Sequence, residues 1–236
     1  MSYLTALFLI GVAILVHEAG HFYVGKLAGI EMEIFSIGFG PKLMELKYHG
    51  TKYRLSLIPL GGYVLPKITD EEEFFLLSPW KRILMAAGGP LASLVLPWLV
   101  FILLNILKTG LNFEGVLVQP LVQVTQVLGS MLEALTKLFQ HSTQLSGIVG
   151  IVSDGGKFIG FDLFNGLSFL ALISMNLMVM NLIPLPVLDG GKILLYFLEI
   201  IHPKAKRLHY PLALTGWVLI LGLTVYVTVL DIGRLF

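Results

Sequence analysis

The stretch LTALFLIGVAILVHEAGHFYVGKLAGI, residues 4–30, decides how the rest of the chain is read. It is apolar for longer than the ~20 residues an α-helix needs to cross a hydrocarbon core of ~30 Å. Yet its C-terminal half carries His17, Glu18 and His21. Ionisable groups inside a span are costly and by default mark a functional site. Their spacing says what they do together. Helical positions four apart share one face, so both imidazoles can reach one metal ion while Glu18 stands beside it as a general base. Two core histidines hydrogen-bonded to neighbouring helices are the bland alternative. The run also lacks a basic n-region and a small-residue cleavage site, so it reads as a retained span rather than a signal peptide.

The composition agrees with a membrane setting. Of 236 residues, 56% are hydrophobic and 13% charged, against about a quarter charged in a soluble domain. A net charge of +1 supplies no field for nucleic acid, which is not expected as a partner; the lipid bilayer is. With no cysteine, a zinc site must use histidine and carboxylate ligands.

These features predict an all-α polytopic membrane protein, one domain over 1–236, with four transmembrane helices at about 4–30, 80–107, 163–186 and 208–229. Ser78-Pro79-Trp80 opens the second span, with proline suited to the first helical position. Eight basic residues lie between Lys26 and Arg82 and four between Lys192 and Arg207, against Lys108, Lys137, Lys157 and Arg234 elsewhere. By the positive-inside rule, both termini are expected outside. Glu31, Glu33, Glu45 and the cluster from Asp70 to Glu73 lie among those lysines but count little in that rule.

Between the first and second spans, about 34–66, a membrane-associated β-hairpin element is expected. Residues Glu45 to Leu57 alternate apolar and polar around His49-Gly50-Thr51, and Ile34 to Gly40 reads as a further strand. Gly61-Gly62 lets backbone come close to a neighbour. Over about 120–140, Val124, Leu128, Met131, Leu132, Leu135 and Leu138 mark an amphipathic helix. It lies either on the outer membrane surface or as a lid on the bundle.

Two histidines leave a catalytic zinc site one protein ligand short. Asp189 is the candidate, in Asn181-Leu-Ile-Pro184-Leu-Pro186-Val-Leu-Asp189-Gly190-Gly191. Pro184 and Pro186 break the helix at membrane depth, which is tolerated where backbone is buried or lines a cavity. An ordinary turn at the membrane edge is the plainer reading. No lysine or arginine stands near the motif in sequence, so carbonyl polarisation falls to the metal.

At this point the chain resembles the site-2 protease family, in its bacterial branch that cleaves anti-sigma factors and remnant signal peptides. The resemblance rests on His17 to His21, Pro59-Leu-Gly61-Gly62-Tyr63-Val64, Gly89-Pro90-Leu-Ala-Ser93, Leu145-Ser-Gly147 and Asn181 through Gly191. It implies an intramembrane zinc endopeptidase of the bacterial inner membrane, acting on transmembrane substrate proteins in regulated intramembrane proteolysis. It implies Zn2+ on His17, His21 and Asp189. It also implies that the hairpin at Gly61, Gly62 and Tyr63 presents an edge to unwound substrate, and that Asn181 takes part in substrate binding. Members of that branch usually carry a PDZ domain between the second and third spans. Here Leu107 to Val116 leaves no room for one.

A zinc transporter is the competing function. It does not need a non-ligating Glu18, and no second half of the chain mirrors the site. Gly88-Gly89 with Ser93 reads mainly as small-residue helix packing. His49, His141, His202 and His209 read as surface or interface residues. Asp154-Gly155-Gly156 only superficially resembles a phosphate cradle.

Overall fold

The computed structural model describes residues 1–68, 71–137 and 147–233. The elements run α1 (Ser2–Leu27), β1 (Met32–Tyr48), β2 (Thr51–Pro66), α2 (Glu71–Leu76), α3 (Pro79–Thr109), a π-helical turn (Glu114–Val118) and α4 (Gln119–Lys137). They continue as α5 (Ile148–Ile159), α6 (Leu163–Asn181), α7 (Asp189–Ile201), a 3-10 turn (Pro203–Leu208) and α8 (His209–Gly233). Asp70, Leu138, His141, Leu145, Ser146 and Arg234, all used in the sequence reading, lie outside the described residues.

Five helical segments among the described residues are long and apolar enough to cross a membrane: Ser2–Leu27, Pro79–Thr109, Glu114–Thr136, Leu163–Asn181 and Pro203–Asp231. Four match the expected spans. The fifth contains the expected amphipathic helix. Val124 is buried in a core with Val100, Phe101, Leu104, Leu170 and Met175, and Leu128 and Met131 pack on it. This face therefore lies against α3 and α6.

Proline and glycine set the helix geometry. Gly20 of α1 and Gly88 of α3 face each other so closely that a Cβ on either would overlap the other's carbonyl group. The two helices thus meet backbone to backbone, which only small residues permit. Inside α3, Pro97 lacks the N–H that would bond the carbonyl four residues earlier. That carbonyl, on Ser93, instead accepts from Ser174 Oγ of α6 at 2.9 Å, so the proline becomes a tie between spans.

The third span is shorter than expected. Helix α6 stops at Asn181 rather than near 186, because a proline at 184 clashes with the helical turn before it and disfavours helix at Ile183. Residues 182–188 fold into tight turns, with Leu185 N–H donating to Ile183 O at 2.7 Å and Leu188 N–H to Leu185 O at 2.9 Å. Gly190 and Gly191 press against these carbonyls with no room for side chains. Helix α7 then starts at Asp189. Helices α2, α5 and α7 were not foreseen.

The β element is confirmed and is longer than a simple hairpin. His49 (φ 46) and Gly50 (φ 82) both have positive φ, the mark of a two-residue I′ hairpin turn. Register shifts fold the ribbon so that Ile34 to Ile37 lies in the middle of a small sheet. Lys52 to Leu55 flanks it on one side and Gly62 to Leu65 on the other. Among the described residues the 62–66 segment pairs only with β1, so its outer edge has no strand partner. Phe22, Met32, Phe35 and neighbouring Tyr53 and Val64 pack the sheet onto α1.

The Gly20–Gly88 approach makes a prediction. Gly88→Val should cost about 3 kcal/mol by overpacking and lower the thermal midpoint of the detergent-solubilised protein, whereas Gly129→Ala, with open space around it, should not.

Candidate metal centre

The α1–α3 contact turns His17 and His21 toward α3. His17 Nε2 lies 3.1 Å from Asp189 Oδ2, His21 Nε2 lies 3.2 Å from the same oxygen, and the two Nε2 atoms are 3.2 Å apart. The rings meet edge to face at 85°. His17 and Asp189 are buried, and His21 is largely so. The structure thus brings together all three residues singled out as ligands, 172 positions apart at the extreme.

The hydrogen bonds behind the rings decide what those atoms can do. His21 Nδ1–H donates to the Met85 carbonyl at 2.8 Å, which leaves Nε2 as a bare lone pair. His17 Nδ1 pairs with Ser93 Oγ at 2.9 Å, leaving its Nε2 likewise turned to the centre. Two imidazole nitrogens and a carboxylate oxygen then converge on one point. Such a set is electrostatically satisfied by a cation. Tetrahedral zinc with ligands at ~2.0–2.1 Å spaces its donors about 3.3 Å apart, close to the distances found. The donor set fits zinc.

Gly89 makes the space. A Cβ there would fall within 2.6 Å of the Nε2 atoms of both histidines, so only glycine leaves the centre open. Gly89 and Ser93, read from sequence as packing residues, therefore shape the site as well. A polar side chain holding the far nitrogen of a ligand histidine has no signature in a single apolar helix, and Met85 acts through its backbone, so neither was legible.

Glu18 and the three ligand residues line one cavity of about 560 Å3, together with Gly62, Tyr63 and Asn181. Gly62 passes so near Glu18 that an added Cβ would stand 3.0 Å from Glu18 Cγ. Tyr63 stacks on Phe39 with centroids 6.1 Å apart. Gly61, at φ +120, lies under the Phe39 ring and does not line the cavity. Asn181 Nδ2 donates to Leu177 O of its own helix at 2.9 Å. Contrary to the sequence reading, a lysine is present: Lys192 Nζ lies 3.4 Å from Asp189 Oδ1 on the cavity wall. It sits one helical turn after the aspartate and so shares its face. Tyr196 also lines the cavity, and burial pushes its phenol up to about 12, so it stays a neutral hydroxyl. Of the histidines set aside, His49 forms the hairpin turn, while His209 is buried and stacked on Tyr196.

Comparison with known proteins points to one family. The model described as "Peptidase family M50" matches residues 5–223. A protein of Campylobacter jejuni, named as a candidate zinc metalloprotease, is 27% identical over 346 aligned positions, covering 100% of this chain and 94% of that one. A similarly named Clostridium perfringens protein is 26% identical over 332 positions, 98% of each. One from Helicobacter pylori is 38% identical over 112 positions, 43% of this chain and 32% of its own. The first two alignments exceed the 236 residues here, so those relatives carry residues with no counterpart in this chain.

Two substitutions test the centre. Gly89→Ala should leave a folded protein that retains little zinc by metal analysis. Ser93→Ala should weaken zinc binding about 10-fold, the lower end for loss of a partner behind a ligand histidine.

Proposed function

The chain belongs to peptidase family M50, and from that premise we propose that it is an intramembrane zinc endopeptidase. It hydrolyses peptide bonds within or near the transmembrane segments of single-span proteins such as anti-sigma factors or remnant signal peptides. One observation carries the reading: Glu18, a carboxylate outside the ligand set, shares a cavity with the convergent His17, His21 and Asp189 atoms.

His17, His21 and Asp189 would hold the zinc, which when bound supplies a Lewis acid that acidifies water and polarises a carbonyl. Glu18 takes the proton of the attacking water on its carboxylate and returns it to the leaving amine. Met85 O and Ser93 Oγ keep the two imidazoles turned so that their Nε2 atoms face inward. Lys192 adds positive charge beside Asp189 where negative charge builds up on the carbonyl oxygen.

A helical substrate hides its amides in its own hydrogen bonds, so it must unwind to be cut. The free edge at Gly62 to Pro66 can receive an extended segment by strand addition, next to Glu18. Gly62, Tyr63 and Asn181 are the residues read as contacting it, with Gly61 supporting the strand through its contact with Phe39.

The protein is read as a multi-pass inner-membrane protein with four crossings. Helix α3 ends beside the start of α6, where Lys108 Nζ lies 5.7 Å over the Phe164 ring. Helix α5 packs Ile159 near Ala6 and Ile10 of α1. At its other end, Gly147 and Gly150 N–H donate to Asp231 Oδ2 of α8, both at 2.9 Å. These contacts support the reading in which the start of α1, the end of α8 and α5 lie on one side, taken as the outside. Among the described residues, α5 with its 12 residues is too short for the return that a full crossing by α4 would need.

Glu18→Gln should keep its zinc and lose cleavage of a single-span reporter by two or more orders of magnitude. Near-normal turnover in that zinc-loaded variant would revive the transporter. Asp189→Ala should lose most of its zinc. For the strand edge, Tyr63→Pro removes a backbone donor and fixes φ, and should reduce cleavage strongly at normal zinc content. Tyr63→Phe should leave it unchanged, and wild-type cutting by a folded Tyr63→Pro protein would reject strand addition.

A further inference from the structure

Arg82 and Glu199 lie 117 positions apart and take no part in the reaction above. The Arg82 side chain is 0% exposed and that of Glu199 is 10% exposed. Nη1–H and Nη2–H of Arg82 donate to the two Glu199 oxygens at 2.9 and 2.8 Å, and Nε–H donates to the Leu77 carbonyl at 3.2 Å. The guanidinium also lies 4.9 Å from the Phe75 ring centre and 4.8 Å from that of Tyr196. A planar fork bound this way fixes both the distance and the orientation of its carboxylate, which an ammonium group cannot do.

Such a pair is a poor device for stability alone, because desolvating two charges offsets most of their attraction and an apolar pair of similar volume does as well. Its value lies in where it holds α7. Arg82 sits one turn before Met85, whose carbonyl orients His21. Glu199 sits ten residues after Asp189 on the same helix. Helix α7 packs against α3 rather than α1, yet Asp189 must reach two histidines on α1. A slip of one residue along α7 would rotate it by about 100° and shift it by about 1.5 Å, which would carry the carboxylate away from both nitrogens.

We propose that the Arg82–Glu199 pair is a positioning device for the metal centre, locking α7 at the rotation and height where the Asp189 carboxylate meets His17 and His21. The proposal rests on the metal reading above, and the test separates the two. The full chain in detergent is titrated with Co2+, reading the Kd and the visible absorption bands, which report ligand number and geometry. Thermal melts of the metal-free proteins run alongside. Asp189→Asn sets the reference for loss of the third ligand. Glu199→Asp keeps both charges but shortens the arm by one methylene, and Arg82→Lys keeps the charge but loses the fork.

Each of these two variants should bind Co2+ about 10- to 100-fold more weakly, with bands shifted toward those of Asp189→Asn. The double variant Glu199→Asp with Asp189→Asn should lose little more than Asp189→Asn alone, since both act through one ligand. A purely structural pair would lower the melting temperature and leave the cobalt spectrum as wild type. That result, or full additivity in the double variant, overturns the proposal. If Asp189→Asn itself binds Co2+ as wild type does, the metal reading fails instead. Should Arg82→Lys not fold, Glu199→Asp decides by the same criteria.

Discussion

Backbone contact between α1 and α3 at Gly20 and Gly88 is the constraint on which the remaining structure depends. With helices this close, His17, one turn before the crossing, and His21, directly after Gly20, both face α3. Gly89 then leaves the gap they fill, while Met85 and Ser93 supply the partners for their outer nitrogens. Larger residues at Gly20 or Gly88 would separate the helices and lengthen every one of these contacts. The same helix ties down the other half of the centre, through Ser93 O to α6 and Arg82 to α7. Helix α3 is therefore the frame, and the ligand-bearing helices are hung on it.

A hydrolase in lipid has to keep water and an unwound peptide at a place that membrane physics makes apolar. Under the proposed function, irregular backbone answers both needs. Val187 of the turns at 182–188 and Gly62, Tyr63 and Val64 of the small sheet line the cavity, and non-helical backbone at membrane depth is tolerated where it lines such a space. Glu18 lies where the two meet, next to Gly62 on one side and the metal ligands on the other. Under the proposed reading, the carboxylate that moves the proton and the strand edge that presents the amide are neighbours.

Much of this was legible in the sequence because its causes are local. The i, i+4 histidines, the proline-broken segment before Asp189 and the alternating strands around His49-Gly50 each carry their geometry in a few adjacent residues. The end of α6 at Asn181 was misplaced because the proline effect reaches back over the preceding turn, beyond where hydrophobicity stops. Helices α5 and α7 were missed because Gly155-Gly156 and Gly190-Gly191 made their segments read as loop and turn, although their apolar residues recur at helical spacing. Ser93 and the Arg82–Glu199 pair could not be read, because their partners lie far off in sequence and no spacing rule connects them. Lys192 follows Asp189 by three positions, and was missed because 189–191 read as a turn rather than as the start of a helix.

The central claim is that His17, His21 and Asp189 form one zinc site. X-ray absorption at the zinc edge of the purified protein tests it most directly. The account predicts imidazole scattering from two histidines and an oxygen shell, all at about 2.0–2.2 Å, with the oxygen contribution altered in Asp189→Asn. A spectrum without paired imidazoles, or one identical in wild type and Asp189→Asn, would contradict it.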